Sequence, residues 1–389
     1  MKICILTPRF PFPENGGDVL RINNIARYLK GKGNELVLIS FCEKNIKLKK
    51  EFFEFYDTIY MVKRSRTESF FMSLVFALTG KPIQCGYYFS FRFLKTLKLL
   101  IKHEIPNIFI SHLSRMTPYL IHTNNQKCSI IEMTDALSKT YELSSKAKGN
   151  FIKKCIYGVE RRLIRNYEKY IVESFPKVVL VSRNDVEYLK RQDIRNKNSL
   201  VVHTNGVDCL SSIPTKYNSK KICFIGNMRT LQNQDAVLHF VKDIFPVIKK
   251  SVPDVVFTII GAQPSEQILS LADGKNIIVT GFVDDIQTAI SDCCLNVAPV
   301  RIAAGIQNKV LVAMGCGVPV VMSSLIAGAI PELIDGENCY IKDDDDKFAE
   351  ECITLLSDEN VRSTISKKGY ETVKNNYSWN EKLEGYEIL

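Results

Sequence analysis

Residues 296–322 read NVAPVRIAAGIQNKVLVAMGCGVPVVM, and the order of elements in this stretch decides the fold class. Apolar spacing predicts a buried strand that ends near Pro299, a loop over residues 301–306 and a helix over residues 307–316. A second apolar strand is predicted over residues 318–322, after a glycine that ends the helix. This order of strand, helix and strand indicates a parallel α/β sheet.

The loop before the predicted helix is suited to bind a phosphate. Gly305 allows a close approach of the backbone, and the helix N-terminus presents free N–H groups and the positive end of the helix dipole. Arg301 and Lys309 add positive charge, and Gln307 and Asn308 add amide groups. Glycine loops at such junctions are common, so Arg301 in a structural salt bridge and Lys309 as an ordinary surface lysine remain alternatives.

The same alternation of strands and helices extends over the rest of the chain. Near the N-terminus, a strand over Ile3–Leu6, a helix over Asp18–Lys30 and a strand over Glu35–Ser40 form a β-α-β unit with a short crossover. The 389 residues are long for one domain, so we expect two. The predicted parts are an N-terminal domain over residues 1–204, a linker over 205–220, a C-terminal domain over 221–372, and a last helix over 373–389 that packs back on the N-terminal domain.

Charge is divided unevenly between the two halves. Residues 1–200 hold 35 lysines and arginines against 18 aspartates and glutamates, a balance of +17, whereas residues 201–389 hold 17 against 24, a balance of −7. No spacing typical of a nucleic-acid-binding module accompanies the basic half, so we expect no nucleic-acid partner. Lysines and arginines mixed with aromatic residues over residues 44–98 are typical of a surface that contacts an anionic membrane. The alternative is that many of these aromatic residues belong to the core.

The cysteines and the apolar segments bear on the compartment. Twelve cysteines are scattered without a CxxC pair, and the opening MKICILTPRF lacks the features of a signal peptide. The longest apolar stretch, Phe70–Leu78, is too short to span a bilayer. These features favour a cytoplasmic protein that binds peripherally at the inner face of the plasma membrane.

An acidic run, Asp343–Asp346, stands before a predicted helix. A cluster of carboxylates raises the hypothesis of a metal site. We favour helix capping instead, because carboxylates are stabilised by the N-terminal dipole of a helix, and we expect no metal site.

Several segments together resemble a known family. They are PRFPFPENGGDVLR (8–21), VSRNDVEYL (181–189), TNGVD (204–208), FIGNM (224–228), IIGA (259–262), TGFVDDI (280–286), GIQNKVLVAMGCGVPVV (305–321) and YSW (377–379). In this order and spacing the chain resembles retaining GT-B glycosyltransferases of the group 1 (family 4) kind, and in particular bacterial polysaccharide sugar transferases. The resemblance implies two Rossmann-like, doubly wound α/β domains facing each other across a cleft, with the last helix crossing back.

The resemblance also implies an activity and a set of site residues. The donor, a nucleoside-diphosphate sugar, would be held mainly by the C-terminal domain, and the acceptor by the N-terminal one, with no metal ion or separate cofactor. Because the leaving diphosphate gains negative charge in the transition state, fixed positive groups near it favour catalysis. The expected diphosphate-binding residues are Gly16, Gly17, Arg229, Arg301, Gly305, Gln307, Asn308 and Lys309.

Four residues of the N-terminal half are candidates for catalysis or acceptor binding. His112 and Asp135 each follow a predicted strand, and the resemblance places an active-site histidine at His112. His112 would orient the donor sugar or shuttle a proton, and Asp135 would act as a general base. Asp18 and Arg21 are expected to bind the acceptor. The alternatives are a packed or surface histidine for His112, and helix capping for Asp135 and Asp18.

Two positions depart from the family pattern. Relatives often carry two glutamates around this helix, one for the donor sugar and one for the ribose, and this chain has Ala304 and Val312 there. The predicted function is transfer of a sugar to a lipid-linked saccharide in capsule, exopolysaccharide or O-antigen synthesis. Two alternatives stay open, a non-catalytic GT-B partner subunit and a nucleotide-sugar 2-epimerase. The sequence leaves the sugar, the base, the acceptor and the oligomeric state undetermined.

Overall fold

The computed structural model describes residues 1–13, 17–42, 49–146, 151–195, 197–213, 217–301 and 308–389. The chain divides into two compact units. Unit 1 contains Met1–Asn205 together with Leu383–Leu389, and unit 2 contains Gly206–Lys382.

Unit 1 is built on a parallel sheet of seven strands. The strands are β1 (Lys2–Thr7), β2 (Glu35–Cys42), β3 (Thr58–Lys63), β4 (Ile108–His112), β5 (Ser129–Thr134), β6 (Lys177–Leu180) and β7 (Leu200–Val202). Their spatial order is β3-β2-β1-β4-β5-β6-β7. The order reverses between β1 and β4, where Ile3 pairs with Ile108. Ligands of such sheets bind outside the carboxyl ends of the strands near this reversal.

The helices of unit 1 connect these strands. They are α1 (Gly17–Gly31), α2 (Arg66–Leu78), α3 (Ile83–Tyr87), α4 (Phe91–Glu104), α5 (Thr117–His122), α6 (Leu137–Lys146), α7 (Phe151–Ser174) and α8 (Arg183–Lys190). Strand β1 is buried along most of its length, from Ile3 to Thr7. A strand that is covered on both faces reads as a continuous apolar run, as ICIL does here.

Unit 2 repeats the plan with six parallel strands. The strands are β8 (Asn218–Ile225), β9 (Val256–Ile260), β10 (Ile277–Gly281), β11 (Cys293–Ala298), β12 (Val320–Met322) and β13 (Tyr340–Ile341). Their order is β10-β9-β8-β11-β12-β13, and it reverses between β8 and β11. Strand β8 begins at Asn218, inside the segment predicted as a linker.

The helices of unit 2 follow the predicted alternation, with one break. They are α9 (Leu231–His239), α10 (Phe245–Ser251), α11 (Glu266–Leu269), α12 (Ile286–Ile290), α13 (Asn308–Gly315), α14 (Ser324–Ala327), α15 (Asp345–Ser357), α16 (Glu359–Tyr377) and α17 (Trp379–Lys382). The apolar spacing over residues 234–250 predicts a single helix, and in the structure this helix is divided by a π-helical turn over Phe240–Ile244. Pro246 follows this turn and has no N–H to donate, which explains the irregularity.

The stretch that decided the fold class folds largely as predicted. Its first strand is β11 and its second is β12, and the two pair in parallel with Asn296 opposite Val320. The helix between them, α13, ends at Gly315, close to the predicted end. Its apolar face is buried in the core of unit 2, with Val310, Leu311, Ala313 and Met314 at most 1% exposed. The parallel α/β class is therefore confirmed.

The acidic run caps a helix, as predicted. Asp344 is the N-cap of α15, and its carboxylate accepts a hydrogen bond from the Lys347 N–H at 3.0 Å. The Asp343 carboxylate accepts one from the Ser324 N–H at 2.9 Å. Within the described ranges, no group of three or more histidines, cysteines, aspartates or glutamates is arranged to hold a metal ion.

Candidate functional site

Unit 1 has a cavity of about 380 Å³ beside the carboxyl ends of its central strands. It is lined by residues that directly follow strands, namely Leu113 after β4, Asp135 after β5 and Val181 after β6, together with Gly17 and Arg21 from α1. This is the edge of the sheet where parallel α/β folds bind ligands. The structure therefore brings four of the predicted residues, Gly17, Asp18, Arg21 and Asp135, to one cavity.

Asp135 lies exposed at this cavity. Burial of its carboxyl group and the nearby Asp185 raise its pKa, while Arg21 opposes the shift. Helix capping does not account for its position, because the Ser138 N–H at the start of α6 donates to Glu168 instead, at 3.2 Å. A carboxylate with a raised pKa in a cavity has the properties of a general base.

His112 ends β4 and is 2% exposed. Burial lowers its pKa to about 3, and Arg21, Arg115 and Arg9 act in the same direction, while Asp18 opposes them. The ring is therefore neutral at pH 7. Its Nδ1 atom is buried without a hydrogen-bond partner among the described residues. A neutral ring is better suited to orient a ligand through one nitrogen than to shuttle protons near pH 7.

Arg21 is 1% exposed and its guanidinium group is already bonded within unit 1. Nε and one Nη donate to the two carboxylate oxygens of Glu132, at 2.9 and 3.0 Å, and the other Nη donates to the Asn205 side chain at 2.9 Å. Tyr386 also donates to Glu132, at 3.0 Å. These contacts favour a structural role at the cavity wall, and the predicted acceptor-binding role of Arg21 stays a prediction.

Gly17 and Asp18 begin α1. A Cβ atom built on Gly17 meets nothing within 4 Å, so this backbone faces open space. Asp18 forms an ion pair with Arg9, and both side chains are partly exposed. The predicted Gly16 lies outside the described residues.

In unit 2, glycines follow the strands next to the reversal point. Gly226 follows β8 and Gly261 follows β9, and the backbones lie so close that a Cβ on Gly261 would stand 1.7 Å from the Gly226 carbonyl oxygen. Gly261 has a φ of 154°, and its N–H donates to the Gly281 carbonyl at 3.1 Å. These glycines hold the carboxyl ends of β8, β9 and β10 in one compact edge.

Lys309 lies in the first turn of α13 and points into this part of unit 2. Its Nζ donates to the Asn233 side-chain oxygen at 2.7 Å and lies 4.4 Å from the centre of the Phe224 ring. Burial lowers its pKa to about 8. Its partners among the described residues are an amide and an aromatic ring. Lys309 is therefore not an ordinary surface lysine.

Arg301 follows β11 and is exposed. Its guanidinium group donates to both carboxylate oxygens of Asp235, at 3.1 and 2.6 Å, and lies 3.4 Å from His239 Nδ1. The salt bridge considered for Arg301 is thus present. Arg229 and Asn308 are exposed.

Of the four remaining positions named from the sequence, the structure describes one. Ala304, Gly305 and Gln307 lie outside the described residues. Val312, where relatives often carry a glutamate, packs partly buried against the core of unit 2. The described part of this helix therefore presents no carboxylate at that position.

Sequence reasoning missed two residues at these sites. Asn233 holds Lys309 and is 6% exposed, and Arg115 lines the cavity of unit 1 with its Nε buried and unbonded among the described residues. Asn233 lies four residues beyond Arg229 in the segment GNMRTLQNQDA. No sequence signal marks it, because its role depends on the distance between α9 and α13.

No helix in the described ranges is long and apolar enough to cross a membrane. The predicted attachment to an anionic membrane surface is a separate matter, which this finding does not test.

Comparisons with known proteins agree with this architecture. Residues 219–358, in unit 2, match the model of the family described as "Glycosyl transferases group 1". A Klebsiella pneumoniae protein described as "Uncharacterized 44.6 kDa protein in cps region" is 21% identical over 394 residues, covering 97% of this chain and 96% of that one.

Two solved structures share the fold. Sucrose-phosphate synthase from Thermosynechococcus elongatus superposes with a TM-score of 0.61 at 13% identity, covering 100% of this chain and 98% of that one. Anabaena HepE in complex with UDP and glucose superposes with a TM-score of 0.62 at 14% identity, covering 99% of each chain. The chain has the GT-B fold, and within it residues 219–358 are similar to the group 1 glycosyltransferases.

Proposed function

We propose that this protein transfers a sugar from a nucleoside-diphosphate sugar to a saccharide acceptor. The observation that carries the proposal is Lys309, a half-buried cation at the reversal point of the unit 2 sheet, whose partners among the described residues are an amide and an aromatic ring. A buried charge without a counterion is costly, and an anionic ligand would offset that cost. The diphosphate of a nucleotide sugar supplies such an anion.

The nucleotide sugar is also supported by a relative of the same fold. HepE, with a TM-score of 0.62, was crystallised with UDP and glucose. We therefore take UDP as the first nucleotide to test. The exposed Arg301, paired with Asp235, and the amides near Asn308 complete the proposed diphosphate site, together with Gly305 and Gln307 from the sequence.

The acceptor is assigned to the cavity of unit 1. Asp135 has the raised pKa and the position to accept a proton from an acceptor hydroxyl, and His112 provides an unbonded ring nitrogen nearby in the fold. The proposal keeps Gly16 and Gly17 as donor phosphate-binding residues on the strength of the sequence resemblance alone.

The proposed biological role rests on a relative of this chain. The Klebsiella relative comes from a cps region, which supports a role in envelope polysaccharide synthesis. We propose a lipid-linked saccharide as acceptor, retention of the anomeric configuration and a peripheral position at the inner face of the plasma membrane. The basic balance of residues 1–200 supports the last point, because anionic lipids attract it.

The positive charge for the leaving diphosphate is assigned to Lys309 and Arg301, so we propose that transfer needs no metal ion. Transfer that continues at full rate in excess EDTA is the expected result. Dependence of the rate on added Mg²⁺ or Mn²⁺ would contradict this part of the proposal.

The test of donor binding is calorimetry with UDP and a panel of UDP-, GDP- and dTDP-sugars. We expect at least one to bind the wild-type protein and to bind Lys309→Met less tightly. Lys249→Met, which removes an exposed lysine from α10, is the matched control and should bind as the wild type does.

One observation favours a second candidate, a non-catalytic partner subunit. Val312 packs in place of a ribose-binding carboxylate, so the donor loses a hydrogen-bonding group. Absence of binding to the whole panel, combined with stable association with a second glycosyltransferase, would replace the enzyme by this candidate. Conversion of the sugar without any acceptor would instead indicate a 2-epimerase.

A further inference from the structure

Unit 1 contains a second cavity that shares no lining residue with the one at Asp135. It lies between α2, α5 and α7, and its volume is about 370 Å³, within the range of small-molecule sites. Most of its wall is apolar or aromatic. Phe76, Pro118, Ile121, Tyr167 and Tyr170 form this part of the wall.

The polar part of the wall is basic. Lys81 and His122 line the cavity, and no aspartate or glutamate is among its described lining residues. Burial lowers the pKa of His122, and Lys81 and Lys98 lower it further, so the ring is neutral at pH 7 and Lys81 supplies the positive charge of the cavity. A cavity with apolar walls and basic groups is complementary to an anion that carries an apolar chain.

The tyrosines give the cavity a fixed shape. The hydroxyls of Tyr167 and Thr117 are hydrogen-bonded at 2.7 Å, which holds α7 against α5. The Tyr167 and Tyr170 rings are stacked with their centres 6.1 Å apart. Rings held in this way present flat apolar surfaces, against which an apolar chain can be removed from water.

The outer face of α2 is an independent observation. While Phe76 of this helix faces the cavity, four large apolar residues of the same helix are exposed. They are Phe70 (77%), Phe71 (63%), Leu74 (54%) and Leu78 (80%). Their spacing places them on one stripe, and the exposed basic residues Arg66, Arg92, Lys95 and Lys98 lie on α2 and α4. Apolar stripes with basic neighbours are typical of helices that lie in the surface of an anionic bilayer.

We propose that the cavity between α2, α5 and α7 binds an anionic amphiphile. The head group of the amphiphile lies beside Lys81 and His122, and its apolar chain lies against Phe76, Ile121 and Tyr167. The α2 stripe contacts the bilayer from which the amphiphile comes. This proposal does not depend on sugar transfer, because the cavity shares no residue with the Asp135 cavity.

The test is calorimetry with dodecyl phosphate below its critical micelle concentration. Dodecyl maltoside has the same chain without the charge, and inorganic phosphate has the charge without the chain. We expect dodecyl phosphate to bind with a Kd at least about tenfold lower than either. Equal binding of dodecyl maltoside, or of inorganic phosphate, would overturn the proposal.

Two variants locate the site. Ile121→Trp fills the cavity, and Lys81→Gln removes the head-group charge, and each is expected to weaken binding on the order of tenfold. Lys95→Gln removes a lysine that does not line the cavity and should bind as the wild type does. Circular dichroism and unchanged UDP affinity verify that the variants are folded. Variants that are folded and bind with wild-type affinity would contradict the assignment.

An experiment with vesicles distinguishes contact of the α2 stripe with the bilayer from binding of the free amphiphile in the cavity. Leu78→Ser, on the exposed stripe, is expected to reduce sedimentation with phosphatidylglycerol vesicles several-fold while dodecyl phosphate binding is unchanged. Sedimentation equal to that of the wild type would remove the α2 stripe from the proposal.

Discussion

Two basic residues, the buried Arg21 and the half-buried Lys309, differ in whether their hydrogen-bonding groups are already used within the fold. Arg21 is surrounded by Glu132, Asn205 and backbone carbonyls, so its hydrogen-bonding capacity is used within unit 1. Lys309 contacts the amide of Asn233 and the ring of Phe224, and burial lowers its pKa to about 8. The difference in partners is the reason why we propose Lys309, and not Arg21, as a ligand-binding residue.

We predict that Lys309→Met weakens UDP binding about 10- to 100-fold at pH 7, because a hydrogen bond to a charged group contributes about 1.5–3 kcal/mol. Calorimetry measures this. The variant should not be less stable than the wild type, because removing an uncompensated buried charge relieves its desolvation. UDP affinity equal to that of the wild type would remove Lys309 from the site.

The pH dependence of UDP binding follows from the lowered pKa of Lys309. In the unliganded protein this lysine loses its proton as the pH rises through about 8. Affinity should therefore be highest below pH 8 and fall by up to about tenfold per pH unit above it. Titrations from pH 7 to pH 9.5 check this, and Lys309→Met should show a flat profile.

The lowered pKa of Lys309 affects the stability of the unliganded protein in the opposite direction, so that stability rises with pH. Between pH 8 and 10.5 the unfolded chain holds the Lys309 proton and the folded chain does not, so this residue makes unliganded unit 2 more stable as the pH rises. We therefore expect the free energies of unfolding of the wild type and Lys309→Met, measured in urea, to approach each other between pH 8 and 10.5.

For Arg21 we predict a loss of stability. Arg21→Met leaves the fully buried Glu132 without its cation and should cost about 3–5 kcal/mol in the free energy of unfolding. Arg9→Met, which breaks the exposed pair with Asp18, should cost less than about 1 kcal/mol. Urea unfolding compares the two. Equal costs would mean that the Arg21–Glu132 pair does not stabilise unit 1.

At the scale of elements, the sequence predicted most strands and helices because both sheets are parallel and buried. Runs such as Ile3–Leu6 and Leu36–Ile39 are apolar on both faces and end at glycines or polar residues. The break between α9 and α10 was missed, because the apolar spacing continues through the π-helical turn at Phe240–Ile244. Aromatic residues over 52–93 divide between core and surface. The core interpretation is confirmed for members such as Phe52, Phe76 and Phe93, and membrane contact by the exposed members stays a prediction.

The close approach of two strand ends gives a prediction for Gly261. Gly261→Ala places a methyl group against the Gly226 carbonyl and should destabilise unit 2 by about 2–4 kcal/mol. Gly274→Ala also has a positive φ, of 70°, but meets open space, so it should cost about 1 kcal/mol. Thermal unfolding separates the clash from the conformational strain. A cost for Gly261→Ala no larger than that for Gly274→Ala would show that the strand ends can separate freely.

At the scale of the whole molecule, the sequence predicted two α/β units with their candidate residues at strand ends. In unit 1 the structure groups Gly17, Asp18, Arg21 and Asp135 around one cavity. The structure also shows contacts between residues that are far apart in the sequence. The Arg21–Glu132 pair joins residues 111 positions apart, and Lys309 meets Asn233 from 76 positions away. Such contacts depend on which helices lie side by side, and periodicity carries no information on that.

The structure also tests the predictions made for residues 296–322. Its strands and helix are confirmed, and its lysine is tied to unit 2 by Asn233, while Gly305 and Gln307 lie outside the described residues. The Val312 position packs against the core, so the ribose must be held by other groups if the donor binds.

Sugar transfer itself is the central claim, and a radiolabelled transfer assay tests it most directly. The donor that calorimetry selects is incubated with the protein and with membrane lipids from the organism that encodes it, and label in the lipid extract is counted. The account predicts transfer by the wild type and a rate at least about 100-fold lower for Asp135→Asn, whose UDP affinity stays unchanged. Equal rates for the two proteins would contradict the role of Asp135, and no transfer by the wild type from any donor that binds would contradict the account.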